Sequence, residues 1–192
     1  MKTILISAFN AFNQSPTNTS EDVLNQLPNT ILDYDVKKVV LNTSFSDAYP
    51  MLVENINTFK PSLVFMLGEA ASRKKISLEK VANNYVDARI PDNDHLSLKQ
   101  SKILDHAPDA YFTKLNIEAI DQALSSNYPL EISYSAGTYA CNYLYYTISD
   151  HIEQTNSQIK CCFIHVPKHG LSHEIMVSAL TEILTYALSR HL

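Results

Sequence analysis

The sequence predicts a single-domain, three-layer αβα fold of the α/β class, in which helices cover both faces of a central mixed, largely parallel sheet. The first third of the chain alternates strand patterns with helix patterns, an order that implies parallel strands joined by helices. The chain has 192 residues, with 45% hydrophobic and 18% charged residues, as is typical of a globular domain with a substantial core. We therefore expect one domain over residues 1–192.

The first half of the chain contains three predicted strands, at residues 1–9, 35–41 and 61–68. Ser20 is expected to cap a short helix that ends by Pro28, because two acidic residues follow it. A second helix is predicted over residues 46–59, with Pro50 near its beginning, where a proline disturbs a helix least. The apolar start of the first strand is too short for a signal peptide and lacks a small-residue cleavage site.

The second half of the chain begins with a long irregular stretch. From Arg89 to Leu115 no convincing helix or strand is predicted, and a loop of that length is usually functional or disordered. Beyond it, periodicity predicts helices at residues 115–124, from about residue 140, and at residues 172–189. Strands are predicted at residues 130–134 and 159–166, the latter stopped by a proline.

Composition excludes several classes of partner and cofactor. The net charge is -5 and lysines and arginines do not cluster with aromatics, so nucleic acid is not expected as a partner. No apolar stretch approaches membrane-spanning length, and three cysteines, two of them adjacent, do not form a disulfide framework. We therefore expect a cytoplasmic, reduced protein without a membrane partner. With 3 glycines there is no phosphate-binding loop, and no cofactor is expected.

A metal site is not expected either. His165, His169 and His173 recur every four residues, but Pro167 and Gly170 interrupt any helix that would align them. No cysteine or carboxylate pattern completes a zinc signature.

Cys141 is the first candidate for chemistry. It follows a predicted strand and a turn of serine, glycine and threonine, and therefore falls near the first turn of a helix. The free N–H groups and the positive end of the helix dipole should lower the pKa of its thiol, as a nucleophile requires. The alternative interpretation is a buried structural cysteine, which is how Cys161 and Cys162 are best explained.

His165 is the natural partner of Cys141. It lies at the carboxyl end of the final strand, and the strand before Cys141 is expected to end at the same edge of the sheet. A Cys–His pair generates a thiolate and then protonates the leaving amine. A histidine that merely satisfies a strand end remains the alternative. The acid that orients the imidazole is left open among Glu69, Glu79, Asp87, Asp92 and Asp94.

Three segments together resemble the pyroglutamyl peptidase I family, also called the pyrrolidone-carboxylate peptidases or peptidase family C15. They are the cysteine segment 135–142, the histidine segment 163–167, and residues 78–84 with the following loop 87–93. The resemblance implies a triad in which Cys141 is the nucleophile, His165 the base and Glu79 the residue that orients the base. It also implies substrate-binding roles for Phe9, Phe12, Gly68, Glu69, Arg89, Ile90, Tyr139 and Ala140.

The implied activity is that of a cysteine omega-peptidase, which hydrolyses the peptide bond after an N-terminal pyroglutamyl residue through a thioester. Peptides or proteins with N-terminal pyroglutamate would be the partners. The resemblance leaves a homo-oligomer possible, since the family is commonly tetrameric. The alternatives are a non-catalytic relative that binds with its pocket, and an unrelated α/β ligand-binding domain with a structural Cys141.

The chain departs from the family pattern around the implied pocket. Asn13 and Gln14 stand where the family has two glycines, and of the two asparagine tolerates positive φ better. Glu69 replaces a usual glutamine, Ala71 and Ser72 replace a glycine pair, and the connection after Pro167 is shorter. These changes bear on substrate affinity and oligomeric state and leave the implied triad intact.

Overall fold

The computed structural model describes residues 2–190, so Met1, the predicted start of the first strand, lies outside the described residues. The strands are β1 (Lys2–Phe9), β2 (Thr30–Ile31), β3 (Tyr34–Leu41), β4 (Leu63–Ala70), β5 (Ile76–Glu79), β6 (Val81–Asn83), β7 (Ala110–Phe112), β8 (Leu130–Ser133) and β9 (Lys160–Pro167). The helices are α1 (Thr19–Gln26), α2 (Ala48–Phe59), α3 (Ile117–Leu124), α4 (Ala140–Gln154) and α5 (His173–Ser189). Within residues 2–190 no helix is long and apolar enough to cross a membrane.

The central sheet has seven strands in the order β2-β3-β1-β4-β9-β5-β8. Strands β3, β1, β4 and β9 are parallel to one another, and β5 joins β9 in the antiparallel direction. Strand β8 is parallel to β5, and β6 pairs with β7 as a separate antiparallel ribbon. The predicted fold class is therefore confirmed, including the mixed sheet.

Two apolar cores lie on opposite faces of this sheet. Helices α1, α3 and α5 pack on one face, and α2 and α4 pack on the other. Because successive side chains of a strand point to opposite faces, Ile4 and Ile6 join the first core while Leu5 joins the second. The same alternation decides which face of β4, β5 and β9 carries the polar residues of the site.

The predicted start of α1 is wrong by two residues. Asn18, and not Ser20, is the N-cap, and its side-chain oxygen accepts hydrogen bonds from the Ser20 backbone N–H at 3.0 Å and from the Ser20 hydroxyl at 2.7 Å. Asparagine and serine are both good caps, so the local sequence alone does not separate them. The short strands β5, β6 and β7 are fixed by pairing with distant segments, which a local pattern does not reveal.

The expectation that the strand before Cys141 ends at the same edge as β9 is also wrong. Strand β8 runs antiparallel to β9, because both β8 and β5 point opposite to the four parallel strands. The chain nevertheless returns after β8, since the Cys141 sulfur lies over Gly68, and Gly68 pairs with His165. Residues 134–139 thus reverse the chain direction and bring the cysteine to the histidine.

The loop between β1 and α1 contains two consecutive residues in the left-handed region. Asn13 has φ 50° and Gln14 has φ 59°, at the two positions where the resemblance implies glycines. Side chains with a Cβ atom are strained in this region, by about 1–2 kcal/mol per residue. Both side chains are exposed, so packing does not offset that strain.

We expect Gln14→Gly to raise the free energy of unfolding by up to about 1 kcal/mol, because the relieved strain exceeds the added entropy of the unfolded chain. Urea denaturation followed by circular dichroism measures this difference. Thr17→Gly, in the same loop but without positive φ, is the matched control and should destabilise the protein. An equal loss of stability in both variants would contradict the strain at Gln14.

Candidate active site

The strand register and the alternation of side chains place Ser77, Glu79 and His165 on the sheet face that α4 covers. Ser77 of β5 lies opposite His165 of β9, and Glu79 lies two residues further along β5. In an antiparallel pair such diagonal neighbours share a face and are within reach of long side chains. Gly68 pairs with His165 from the other side, and its α-carbon faces the same helix.

Glu79 and His165 form the central contact of the site. The Nδ1 of His165 donates a hydrogen bond to Oε1 of Glu79 at 2.7 Å. Glu79 is 0% exposed and His165 is 5% exposed, so water does not screen this contact. The same Oε1 accepts a hydrogen bond from Nη2 of Arg73 at 3.2 Å, and Oε2 of Glu79 is buried without a hydrogen-bond partner.

Among the acids left open by the local sequence, only Glu79 contacts His165 within the described residues. Asp92 is buried but its carboxylate accepts hydrogen bonds from the backbone N–H groups of Phe45, Asp94 and Leu96. Asp94 accepts from the hydroxyl of Ser46 at 3.2 Å. Both aspartates therefore stabilise loops, and neither orients the imidazole.

Cys141 is the second residue of α4, where the first backbone N–H groups have no partner inside the helix. Tyr139, the cap residue, makes no side-chain capping bond. The next side chain, Asn142, anchors the helix start to β6, accepting from the Asn83 N–H at 2.9 Å and donating to its carbonyl at 2.8 Å. A Cβ atom on Gly68 would lie 2.8 Å from the Cys141 sulfur, so the glycine makes room for it.

The expected fall in the pKa of Cys141 is wrong for this structure. Burial raises the pKa of the thiol to about 12, and the negative charge of Glu79 adds to the rise. The backbone N–H at Cys141 acts in the opposite direction but does not compensate. Loss of hydration therefore outweighs the helix terminus, and the resting residue is a thiol at neutral pH.

Cys141 and His165 open onto one cavity of about 150 Å³. It is lined by Phe9, Phe12, Asn18, Thr43, Glu69, Ala136, Tyr139, Ala140, Cys141 and His165. The walls include the aromatic rings of Phe9, Phe12 and Tyr139, and the rings of Phe12 and Tyr139 are 6.0 Å apart. A larger groove of about 530 Å³ lies between the carboxyl ends of α2 and α4, away from these residues.

The cavity contains five of the eight implied substrate-binding residues. They are Phe9, Phe12, Glu69, Tyr139 and Ala140. Gly68 lies beneath the Cys141 sulfur rather than in the wall. Arg89 is exposed and Ile90 is half-buried, and both lie outside the set of lining residues.

Glu69 is the charged residue in the cavity wall, and its charge is balanced. Oε2 accepts hydrogen bonds from the backbone N–H and the hydroxyl of Thr19, both at 2.8 Å. Oε1 accepts from Nζ of Lys168 at 3.0 Å. Burial alone would raise the pKa of Glu69, but these hydrogen bonds and the Lys168 charge outweigh it and lower the pKa.

Several residues of the site are missing from the sequence interpretation. Arg73 contacts Glu79, Lys168 contacts Glu69, and Asn18 and Thr43 line the cavity. Arg73 and Lys168 stand in loops directly after β4 and β9, which is the only local signal that could have drawn attention to them. Within residues 2–190 no group of three potential metal ligands is present.

Comparisons with known proteins assign the chain to a family. The family model described as pyroglutamyl peptidase matches residues 2–177. The pyrrolidone-carboxylate peptidase of Brachyspira hyodysenteriae is 36% identical over 164 residues, which cover 85% of this chain and 82% of that protein.

Solved structures extend the similarity to the fold. The pyrrolidone carboxyl peptidase of Thermococcus litoralis is 31% identical with a TM-score of 0.93, covering 98% of this chain and 94% of that one. Pyroglutamyl peptidase I of Bacillus amyloliquefaciens is 28% identical with a TM-score of 0.92, covering 98% of each chain.

The balanced charge of Glu69 predicts a pH-dependent contribution to stability. A carboxylate whose pKa is lowered on folding stabilises the protein above its ordinary pKa of 4.5, and this stabilisation disappears as the pH falls through the lowered value. We expect the free energy of unfolding of wild type to exceed that of Glu69→Gln by about 1–3 kcal/mol near neutral pH. In acid this difference should vanish. Urea denaturation over a pH series measures it.

The control for this prediction removes the partner of Glu69. In a Lys168→Met background the pH-dependent difference between glutamate and glutamine should shrink, because one hydrogen bond and one opposite charge are gone. If the stability difference between glutamate and glutamine at position 69 is as large in this background as in wild type, Lys168 does not contribute to the stabilisation by Glu69.

Thiol alkylation tests the environment of Cys141. We expect iodoacetamide to modify Cys141 before Cys161 and Cys162, because Cys141 lines a cavity whereas the other two are buried in the core. The rate should rise about tenfold per pH unit above neutrality, since burial raises the thiol pKa to about 12. Mass spectrometry of wild type and Cys141→Ser identifies the modified residue. A rate that levels off near neutral pH would mean a preformed thiolate.

Proposed function

Because the chain belongs to the pyroglutamyl peptidase family, we propose that it removes N-terminal pyroglutamyl residues with Cys141 as nucleophile, His165 as base and Glu79 as its orienting acid. The family and its named relatives make the protein a cysteine exopeptidase. The observation that carries the assignment of roles is the buried hydrogen bond of 2.7 Å between Glu79 and His165, beside a cysteine at a helix start.

The first step follows from the protonation states of the resting site. Since Nδ1 of His165 donates to Glu79, Nε2 is free to accept the proton of the Cys141 thiol. The raised pKa of Cys141 makes a free thiolate rare, so the proton moves to His165 as the sulfur attacks the substrate carbonyl. The carboxylate of Glu79 then stabilises the imidazolium that this transfer creates.

The tetrahedral intermediate next collapses to a thioester. The negative charge on the former carbonyl oxygen is stabilised by the unpartnered N–H groups at the start of α4. Imidazolium returns its proton to the leaving amine, and the carbon–nitrogen bond breaks. Water, deprotonated by the same imidazole, then attacks the thioester, and free pyroglutamate leaves while the thiol is restored.

The cavity supports a small neutral ring as the recognised group. Its volume of about 150 Å³ is well below the roughly 300–1,000 Å³ of pockets for larger ligands. Phe9 and Phe12 offer flat apolar walls, and the Glu69 charge is already balanced by Lys168. A substrate ammonium or carboxylate would lose its hydration there without gaining a free counter-charge.

The non-catalytic alternative is less well supported, because Cys141 and His165 line the same cavity and Glu79 is hydrogen-bonded to His165. We propose that residues 1–192 work as one catalytic domain. We also propose a reducing compartment such as the cytoplasm, since all three cysteines are free. A homo-oligomer remains a further proposal, supported by the family resemblance alone.

The activity is tested with three aminomethylcoumarin substrates that differ only in the N-terminal residue. We expect the pyroglutamyl compound to be cleaved far faster than the prolyl and glutamyl compounds, because only the first is uncharged. Release of the fluorophore by purified protein gives kcat/KM for each. Equal rates on all three would contradict the lactam pocket.

Variants in the same assay test the roles of the three residues. Cys141→Ser and His165→Ala should lower kcat by about 10⁴-fold or more, and Glu79→Gln by about 10²- to 10⁴-fold with the fold retained. Asp92→Asn is the matched control, because it also neutralises a buried acid. We expect it to lower the stability of its loop and to leave kcat of the folded enzyme unchanged. A fully active Glu79→Gln enzyme would remove Glu79 from the mechanism.

A further inference from the structure

Arg73 connects the acid of the site to the segment that leads to the nucleophile. It lies between β4 and β5, and about one quarter of its side chain is exposed. Its Nη2 donates to Oε1 of Glu79 at 3.2 Å, to the Ser133 hydroxyl at 2.8 Å and to the Ser135 carbonyl at 3.0 Å. One guanidinium nitrogen thus contacts β5, β8 and the reversing loop 134–139.

The other terminal nitrogen of Arg73 fixes the orientation of the guanidinium. Nη1 donates to the hydroxyl of Ser77 and to Oε1 of Glu131, both at 3.2 Å. Ser77 in turn donates to Glu131 at 2.7 Å. Because the guanidinium is planar and rigid, contacts on both nitrogens determine where Nη2 points.

Glu79 depends on these contacts because it is fully buried. A buried carboxylate is costly unless opposite charges and hydrogen bonds compensate for its lost hydration. Oε1 takes hydrogen bonds from Arg73 and His165, while Oε2 has no partner. If Arg73 were absent, His165 would be the single remaining donor to this carboxylate among the described residues.

The other groups around Glu79 do not replace Arg73. Cys141 and Tyr145 approach from α4, and Cys162 approaches from β9. None of these three carries a positive charge, and the Tyr145 hydroxyl donates to the backbone carbonyl of Glu79, at 3.0 Å, rather than to its carboxylate. The adjacent Lys80 pairs with Glu118 at 2.7 Å, and Glu131 of β8 approaches only through Arg73.

We propose that Arg73 is a positioning residue of this peptidase, which holds Glu79 as a carboxylate against His165 and fixes the loop before Cys141. The proposal rests on the proposed function of the site, but the contacts that carry it do not. Arg73 does not line the cavity and touches no reacting atom. It acts through Glu79 and through Ser135.

The charge of Arg73 predicts a change in the pH profile. When Arg73 becomes glutamine, the Glu79 carboxylate loses its fixed positive neighbour, and the orienting bond to His165 weakens. We expect Arg73→Gln to lower kcat by about a hundredfold on the pyroglutamyl substrate, with little change in KM. The acidic limb of kcat against pH should move to higher pH.

Arg73→Lys separates charge from geometry. Lysine keeps the positive charge but cannot contact Glu79, Glu131 and Ser135 at once. We expect its acidic limb to stay near that of wild type, with kcat between those of wild type and Arg73→Gln. Arg190→Gln, an identical change on the exposed end of α5, is the control and should leave kcat and pH profile unchanged.

A measurement without turnover distinguishes this proposal from the proposed function. The proton between His165 and Glu79 should give a downfield proton NMR signal in wild type. On acidification this signal should disappear at a higher pH in Arg73→Gln than in wild type. A signal with the same pH dependence in both proteins would overturn the role of Arg73, whatever the activity. If the signal shifts in Arg73→Gln but the wild-type protein does not cleave the pyroglutamyl substrate, the positioning role of Arg73 is supported and the proposed function is contradicted.

Two further outcomes decide the case. In one outcome, the activity of Arg73→Gln falls only as much as its folded fraction, and the acidic limb of the pH profile does not move. Arg73 would then have a merely structural role. If Arg73→Gln does not fold, Arg73→Lys decides, because full wild-type kcat in that variant would overturn the proposal.

Discussion

The buried hydrogen bond between Glu79 and His165 is the constraint on which the site depends. It joins β5 to β9, which pair in the antiparallel direction, and it uses the diagonal spacing that antiparallel pairing provides. A fully buried carboxylate at this position needs compensation, which explains why Arg73 and its partners on β8 surround it.

Burial acts on the two halves of the site in opposite ways. It strengthens the hydrogen bond between Glu79 and His165 by removing water, and it makes the Cys141 thiolate costly, so that its pKa rises to about 12. The helix terminus at Cys141 is therefore better suited to stabilise charge on the substrate oxygen than to ionise the resting thiol. For this reason the proposed mechanism transfers the thiol proton to His165 during attack rather than beginning from a preformed ion pair.

The loop after β1 and the cavity beside Cys141 contain the residues at which departures from the family pattern are expected from the sequence. Asn13 and Gln14 adopt the left-handed conformation although neither is glycine. Glu69 brings a charge to the cavity wall, and Lys168, in the loop directly after β9, balances it. Lys168 also donates to Ser15 at 3.3 Å, so the same side chain ties the strained loop to the sheet.

Local patterns in the sequence, namely periodicity and helix-start signals, determined the α/β class, most of the larger strands and the five helices of the described residues. Burial of one face of a helix or strand leaves such a repeating pattern. A turn between strand and helix located Cys141, and a strand end located His165. The tertiary structure alone decided that β8 and β5 run against β9. The local sequence left the orienting acid open and the family resemblance implied Glu79, which in the structure contacts the imidazole. The tertiary structure also brought Arg73 and Lys168 to the site. Strand direction and contacts between distant loops depend on pairing across the whole sheet, which local patterns do not encode.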